Sequence, residues 1–387
     1  MCIDINIPII DKDHIFQANT SARSMEFAIN LESEIVFIPR AHSFNVKEND
    51  LGFSWSGKYA FAHLNMLRDT LTQHYTGSSK FNDTYNYICD GMNEHGLSIG
   101  GLYLPGFSRY PDPDQLTEAC KSKAISNLYF GSWVLSNFDS VENVIQALKN
   151  EEVIVYNPII EPINIAADFH FVIHDQQGNS VVLEWTTDAL YPQMYTRHLQ
   201  HENRQSPQKP IDQHQYIGVM TNAPTYDWHI NNIANYTHMT NRPFDDHVIP
   251  INRLTQSLNG SGLTGLPADS LPSSRFIQTY VVYHLATQPS TIPQALTLGQ
   301  KLLNRVDIPL GLLQQEDKSS IGSDITQWAV LRDHEHAKYY FRSYSDLSLR
   351  VVDITAMAHK YHTVMISKAC QFDQAAKAIA MELSPIQ

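Results

Sequence analysis

The first two residues of the chain carry a combination of groups that could do chemistry. Met1 is followed directly by Cys2, and an initiator methionine is readily removed before a small side chain. Cys2 would then carry both a thiol and a free α-amine, with ordinary pKa values of about 8.5 and about 7.7–8.0. The amine can deprotonate its own thiol, as it does for N-terminal threonine nucleophiles. The pair therefore predicts a nucleophile, although many proteins carry a small second residue that has no catalytic role.

Composition and charge argue against several classes of function. The chain has 387 residues, of which 43% are hydrophobic, and a net charge of −13, whereas nucleic acids and anionic membranes bind basic surfaces. The four cysteines, at positions 2, 89, 120 and 370, form neither a disulfide framework nor a C-x-x-C metal pattern. No apolar run reaches a membrane span, and no basic signal-peptide start is visible. We therefore expect a cytoplasmic protein with no nucleic-acid and no membrane partner.

Histidine is common, so a metal site has to be considered. The densest cluster is Asp333-His334-Glu335-His336, which lies between the strand-like runs 328–331 and 339–344. This position indicates a hairpin turn with solvated polar side chains. The H-E-x-x-H spacing of zinc enzymes does not occur. We expect neither a metal nor a cofactor.

The elements that would position Cys2 are short strands joined by turns. Alternating or apolar runs predict strands at residues 2–5, 34–39, 59–64, 86–89 and 98–104. Residues 16–27 contain a polar loop followed by an alternating segment, which places Arg23 and Met25 on one face. The Gly- and Asn-rich residues 90–97 indicate a tight turn.

Helices follow these strands, and strands then return. Residues 114–135 and the capped amphipathic run 140–148 are typical of helices, and a hairpin is predicted over 169–185. Residues 199–210 and 259–273 resemble surface loops. Helices are expected over 274–287 and 292–303, then a hairpin over 325–344 and a strand over 349–354. Sheets packed on sheets with helices outside indicate an α+β layered fold. If Cys2 begins an inner strand, its thiol would face the cleft between or beside the sheets.

Several stretches together resemble the choloylglycine hydrolase family of the N-terminal nucleophile (Ntn) hydrolases, which holds bile salt hydrolases and penicillin V acylases. They occur in family order and cover roughly residues 1–355. The matching stretches are Met1-Cys2, residues 22–27 (ARSMEF), 90–97 (DGMNEHGL) with 101–103 (GLY), 137–141 (NFDSV), 221–229 (TNAPTYDWH) and 271–276 (LPSSRF). The resemblance implies a four-layer αββα sandwich of antiparallel sheets, the Ntn-hydrolase fold. It also implies a domain over 1–355, with residues 356–387 as a C-terminal helical extension.

The resemblance implies a role for each of five further residues. Arg23 would lie beside the Cys2 thiol, where a cation favours thiolate, and Glu26 would hold the α-amine. The remaining implied site residues are Asn222 and the backbone N–H of Tyr103 as oxyanion donors, and Arg275 near the reacting centre. The chain departs from the family at Glu26, where aspartate is usual, and at residues 3–4, where many relatives carry Thr-Arg or Thr-Gly.

Each of these residues also has a structural alternative. Arg23 could pair with Glu26, Asn222 could shape the turn before Ala-Pro, Tyr103 could be core or cleft wall, and Arg275 could brace a helix. His229 is expected to be structural, because a Cys/His dyad would be redundant beside an N-terminal amine.

The resemblance predicts hydrolysis of a small N-acyl amide through a thioester on Cys2. Tyrosine at position 103 favours aryl or long-chain acyl amides such as penicillin V or acyl-homoserine lactones, and conjugated bile salts are the alternative. Glu26 and Ile3 leave open a different class of function, a non-catalytic binder of amphipathic ligands. The segment from Asn222 to Arg275 has the length that in bile salt hydrolases includes a projecting assembly loop, so the resemblance implies a homotetramer.

Overall fold

The computed structural model describes residues 1–47, 51–67, 70, 86–187, 189–199, 215–243, 259–313, 324–368 and 384–385. The predicted surface loop 199–210 lies outside this part of the chain, apart from Leu199. Strands and helices are numbered below in chain order.

A six-stranded antiparallel sheet carries the N-terminus. Its strands lie in the order β16 (Val219–Thr221), β1 (Cys2–Ile10), β2 (Phe16–Phe27), β17 (Ile325–Asp333), β18 (Lys338–Ser343) and β19 (Arg350–Asp353). β1 is buried on both faces. Because side chains alternate along a strand, Ile3, Ile5, Ile7 and Ile9 share one face, and Cys2 and Asp4 share the other.

A nine-stranded antiparallel sheet packs against the first. Its strands lie in the order β15 (Gln193–Arg197), β14 (Ser180–Glu184), β13 (Phe169–His174), β8 (Ser98–Tyr103), β7 (Ile88–Asn93), β6 (Phe61–Asn65), β3 (Glu34–Ile38), β20 (Met365–Lys368) and β21 (Ser384–Pro385). Short two-stranded pairs lie outside it: β4 (Ser43–Asn45) with β5 (Ser54–Ser56), β9 (Ala124–Ser126) with β10 (Ile154–Tyr156), and β11 (Ile159–Ile160) with β12 (Ile165–Ala166).

Helices cover the outer face of each sheet. Their bounds are α1 (Glu118–Lys121), α2 (Asn127–Asn137), α3 (Val141–Lys149), α4 (Tyr226–Asn232), α5 (Pro272–Leu285), α6 (Ile292–Val306) and α7 (Ile354–Lys360). α5 and α6 pack on the six-stranded sheet, and α2 packs on β7 and β8 of the other. A Cβ at Gly299 of α6 would lie 3.1 Å from both Ala22 and Ile7, so glycine allows this close approach. The layers give the predicted αββα sandwich.

Two expectations about local structure were wrong. Residues 16–27 are one continuous strand rather than a polar loop followed by a strand, because buried partners satisfy the polar side chains. Asn19, for example, hydrogen-bonds with Asn6 at 2.9 Å. Residues 114–135 are not one helix, because the strand β9 separates α1 from α2, and Ser126 at its end caps α2 by accepting from the N–H of Leu128.

The predicted hairpin around residues 333–336 is present, but not all of its side chains are solvated. His334 is buried, and its ring nitrogens bond Ser21 Oγ and the Gly96 carbonyl. The chain beyond residue 355 is helical to Lys360 and then extended as β20, which pairs with β3. The division of the chain at residue 355 stays a prediction. None of the helices in the described part of the chain is long and apolar enough to cross a membrane.

Candidate active site

Cys2 begins β1 and faces the space between the two sheets. It lies directly opposite Met25 of β2, and its Sγ is 3.4 Å from Met25 Sδ. The residue is 2% exposed. The thiol lines a pocket whose other lining residues are mainly apolar: Met25, Phe27, Leu31, Met66, Leu67, Tyr103, Ile160, Ile163, Ile165, Ala166 and Phe169, together with Glu26, Cys89 and Gly101. An acyl group placed in this pocket would lie against the thiol.

Arg23 lies on the same face of β2 as Met25 and reaches the thiol. Its Nη2 is 3.7 Å from Cys2 Sγ, and its Nη1 donates to the Cys89 carbonyl at 2.9 Å and to Asp90 Oδ2 at 3.1 Å. Burial alone lowers the pKa of Arg23, but the Cys2 thiol and the Asp90 carboxylate outweigh it and raise that pKa. Arg23 therefore stays a cation beside Cys2. Its carboxylate partner is Asp90, so the alternative of a structural ion pair with Glu26 is wrong.

Asn222 lies where β16 ends, beside the backbone of Cys2. Its Nδ2 donates to the Tyr103 carbonyl at 2.7 Å, and its Oδ1 accepts from the Cys2 N–H. Both ends of the amide are thereby fixed. His229 lies one turn into α4, and its Nε2 is 2.9 Å from the Asn222 carbonyl oxygen. Burial lowers the pKa of His229 to about 4, so the neutral ring holds the Asn222 backbone.

Glu26 and Arg275 meet on the face of the sheet that is turned towards the helices. Arg275 of α5 places Nη2 2.8 Å from Glu26 Oε1, and Thr326 Oγ1 donates to the same oxygen at 2.9 Å. The backbone of Glu26 exchanges two hydrogen bonds with Met1. The expected contact between this carboxylate and the Cys2 nitrogen is not present, because that nitrogen is in a peptide bond with Met1 and donates to Asn222. Glu26 Oε2 is buried and has no hydrogen-bond partner among the described residues.

A second cavity lies outside the first. It shares Phe27, Tyr103 and Ile165 with the inner pocket and is also lined by Met1 and Asn222. Met1 therefore lies between solvent and the Cys2 backbone. Within the described ranges, no group of three or more His, Cys, Asp or Glu side chains is placed to bind a metal ion.

The sequence interpretation missed the role of Asp90 and two of its neighbours. Asp90 belongs to β7, and the turn begins only after Asn93, whose Oδ1 accepts from the N–H groups of His95 and Leu97. Arg332 and Asp4 are also fully buried near Asp90. The only signal in the sequence was that Asp4 and Arg332 each lie in a run of mainly apolar residues, at 2–10 and 325–333.

Comparison with known proteins gives consistent matches along the chain. The family model for linear amide C–N hydrolases, choloylglycine hydrolase family, matches residues 9–199 and 205–363. A bile salt hydrolase/transferase of Clostridium perfringens is 29% identical over 356 residues, 92% of each chain. A penicillin V acylase of Pectobacterium atrosepticum is 21% identical over 346 residues, 86% of this chain and 76% of the other.

Solved structures give the same result for the fold. A mutant of the conjugated bile acid hydrolase from Clostridium perfringens has a TM-score of 0.72 at 26% identity, covering 98% of this chain and 100% of the other. The penicillin V acylase from Agrobacterium tumefaciens has a TM-score of 0.66 at 20% identity, covering 95% and 91%. With a family match over most of its length, the chain belongs to the choloylglycine hydrolase family, whose enzymes hydrolyse linear amide C–N bonds.

Proposed function

We propose that Cys2 is the nucleophile with which this hydrolase cleaves an N-acyl amide. The observation that carries the proposal is the placement of the Cys2 thiol, which opens into the apolar pocket with an arginine cation 3.7 Å away. A nearby cation stabilises thiolate, the form that attacks carbonyl carbon. Removal of Met1 is part of the proposal, because it frees the Cys2 α-amine and enlarges the opening to the outer cavity.

The reaction then proceeds in two halves. The α-amine takes the thiol proton, and the sulfur attacks the acyl carbonyl carbon. The oxyanion that forms is stabilised by the Asn222 amide and the Tyr103 N–H. The amine returns its proton to the leaving nitrogen, the C–N bond breaks, and a thioester remains on Cys2. Water, deprotonated by the same amine, attacks the thioester and releases the acid with restoration of the thiol.

Glu26 and Arg275 support the amine from the other face of the sheet. Glu26 Oε2 is buried and has no hydrogen-bond partner among the described residues, so we assign it as the acceptor for the amine that removal of Met1 would free. Arg275 and Thr326 hold the other oxygen of that carboxylate. The proposal therefore gives Glu26 the role that aspartate usually has, with the longer side chain anchored by Arg275.

The substrate we propose has an aryl or alkyl acyl group, as in penicillin V or an acyl-homoserine lactone. The described walls of the inner pocket are almost wholly apolar, and such walls fit an apolar acyl group. The hydroxyl groups of a bile acid would be left without partners there, at a cost of about 1–3 kcal/mol each.

A panel of three amides tests this choice. Penicillin V, an acyl-homoserine lactone and glycocholate are assayed side by side with the mature enzyme. We expect kcat/KM for one of the first two to exceed that for glycocholate by at least about tenfold, the equivalent of one unpaired hydroxyl group. Cleavage of glycocholate alone would contradict the choice of substrate but leave the role of Cys2 standing.

We also propose that the enzyme is a cytoplasmic homotetramer. The family resemblance of the chain supports this assembly. Residues 244–258, within the segment from Asn222 to Arg275 on which the expectation rests, lie outside the described part of the chain. Sedimentation equilibrium of the mature protein measures its oligomeric state.

A further inference from the structure

A chain of buried charges runs between the two sheets and ends at the Cys2 thiol. Asp4, Arg23, Asp90 and Arg332 are each fully buried. They comprise two guanidinium groups and two carboxylates, so the charges balance. Buried ions need both pairing and hydrogen bonds, and their arrangement is therefore set by one another.

Asp90 is the point at which both arginines meet. It accepts from Arg23 Nη1 at 3.1 Å, from Arg332 Nε at 3.2 Å and from Tyr339 Oη at 2.6 Å, and Arg332 Nη2 also bonds it. A Cβ at Gly100 would lie 3.0 Å from Arg23 Cδ and 3.2 Å from Asp90 Oδ2. The glycine therefore leaves room for the pair.

Arg332 also reaches a second carboxylate. Its Nη1 donates to Asp4 Oδ2 at 3.2 Å and to Ser21 Oγ at 2.9 Å, while the other oxygen of Asp4 pairs with His174 Nε2 at 2.8 Å. Both Asp4 and Asp90 raise the pKa of Arg332 despite its burial. The planar guanidinium bridges the two carboxylates with donors held in a rigid fork, whereas the three donors of a lysine share one nitrogen and are free to rotate.

Asp4 is a potential competitor for Arg23. The two residues are directly opposite each other on β1 and β2, a position in which Cβ atoms are about 4.5–5.5 Å apart and opposite charges interact. In the structure Asp4 is instead bonded by Arg332 and His174. The Arg23 guanidinium is directed away from Asp4, towards Cys2, where it also donates to the Cys89 and Gly101 carbonyls. Without Arg332, Asp4 would be a buried anion short of a cation, with Arg23 as its nearest replacement.

We propose that Arg332 is a positioning residue, which occupies Asp4 and anchors Asp90 so that Arg23 stays beside the Cys2 thiol. The inference rests on the proposed role of Cys2. It goes beyond that role because it assigns the orientation of Arg23 to Arg332 and Asp4. Neither of these residues lines the acyl pocket.

The test is the pH dependence of Cys2 alkylation by iodoacetamide, followed by mass spectrometry of the N-terminal peptide. Cys89 does not interfere, because burial raises the pKa of its thiol to about 12. In Arg332→Gln we expect the alkylation midpoint to rise by about one pH unit, the effect of withdrawing a nearby cation. We expect kcat to fall on the order of tenfold with KM nearly unchanged, since the acyl pocket is intact.

The double variant Asp4→Asn/Arg332→Gln is the decisive comparison. It removes the competitor together with the residue that occupies it, and neutralising both members of a buried pair is tolerated. We expect its alkylation midpoint to return most of the way to that of the wild type. A double variant shifted as far as the single variant, or a single variant that folds and shows no shift, would overturn the proposal.

Two further variants guard against a loss of folding. Arg342→Gln removes another buried arginine of the six-stranded sheet, which pairs with Asp307 at 2.7 Å, and is expected to lower stability without moving the midpoint. If Arg332→Gln does not fold, Arg332→Lys keeps the charge but loses the bridge, and a rise of about half a unit is expected. An unchanged midpoint in folded Arg332→Lys would overturn the proposal. Because alkylation is measured without a substrate, failure of the hydrolase reaction would be seen separately.

Discussion

Cys2→Ala is expected to lose turnover by a factor on the order of 10⁴ or more, because burial raises the pKa of Cys89, the other thiol that lines the pocket, to about 12 and so keeps it protonated. The variant should still fold, since Cys2 is a small side chain at the start of a strand held by hydrogen bonds to both neighbouring strands. Steady-state hydrolysis, with the thermal unfolding midpoint measured alongside, checks both expectations.

The matched control for this variant is Cys120→Ser. Cys120 is a free, half-buried cysteine on α1 and lines neither of the two cavities at Cys2. Its replacement should leave kcat and KM unchanged. Full activity in Cys2→Ala would place the nucleophile elsewhere, and binding of the substrate without turnover by the wild type would support the non-catalytic class of function instead.

Asn222→Asp is expected to reduce kcat by about 10²–10³-fold, the usual effect of losing one oxyanion donor. The substitution keeps the shape of the side chain but replaces the Nδ2 donor with an oxygen. That oxygen would face the Tyr103 carbonyl, which now accepts at 2.7 Å. KM should change less than kcat, because the apolar pocket still binds the acyl group.

A control and a contradictory result are both available for Asn222. Asn304 on α6 contacts Arg342 through its Oδ1 at 3.1 Å, and Asn304→Asp should retain that contact and full activity. If Asn222→Asp instead raised KM with no change in kcat, the amide would be a substrate-binding group and the oxyanion role would be wrong.

The sequence was sufficient to place Arg23 and Met25 on one face, because side chains alternate in a strand, and the family resemblance placed Arg23 beside Cys2. It was also sufficient for the helices carrying Arg275 and Gly299, whose apolar spacing is regular. It was insufficient for the choice of ion-pair partner. Arg23 and Glu26 are three residues apart, yet alternation turns them to opposite faces, where each meets a partner from a distant segment.

The same reason explains the polar residues of β2. Asn19 and Ser21 have the composition of a loop, but each is buried against polar partners from other strands. Hydrogen bonds to partners distant in sequence offset the cost of burying such groups, and no local pattern indicates those partners. The roles of Asp4 and Arg332 were missed for the same reason, because each is the buried ion-pair partner of the other and the two are distant in sequence.

In the mechanism that we propose, the working enzyme begins with Cys2 and carries its acyl group there. The direct measurement is mass spectrometry of enzyme quenched in acid during turnover of its best substrate, first intact and then as peptides. We expect a chain lighter than the full sequence by one methionine residue, with a hydroxylamine-sensitive acyl group on the N-terminal cysteine. Full turnover by a chain that retains Met1, or an acyl group trapped on any other residue, would contradict the mechanism.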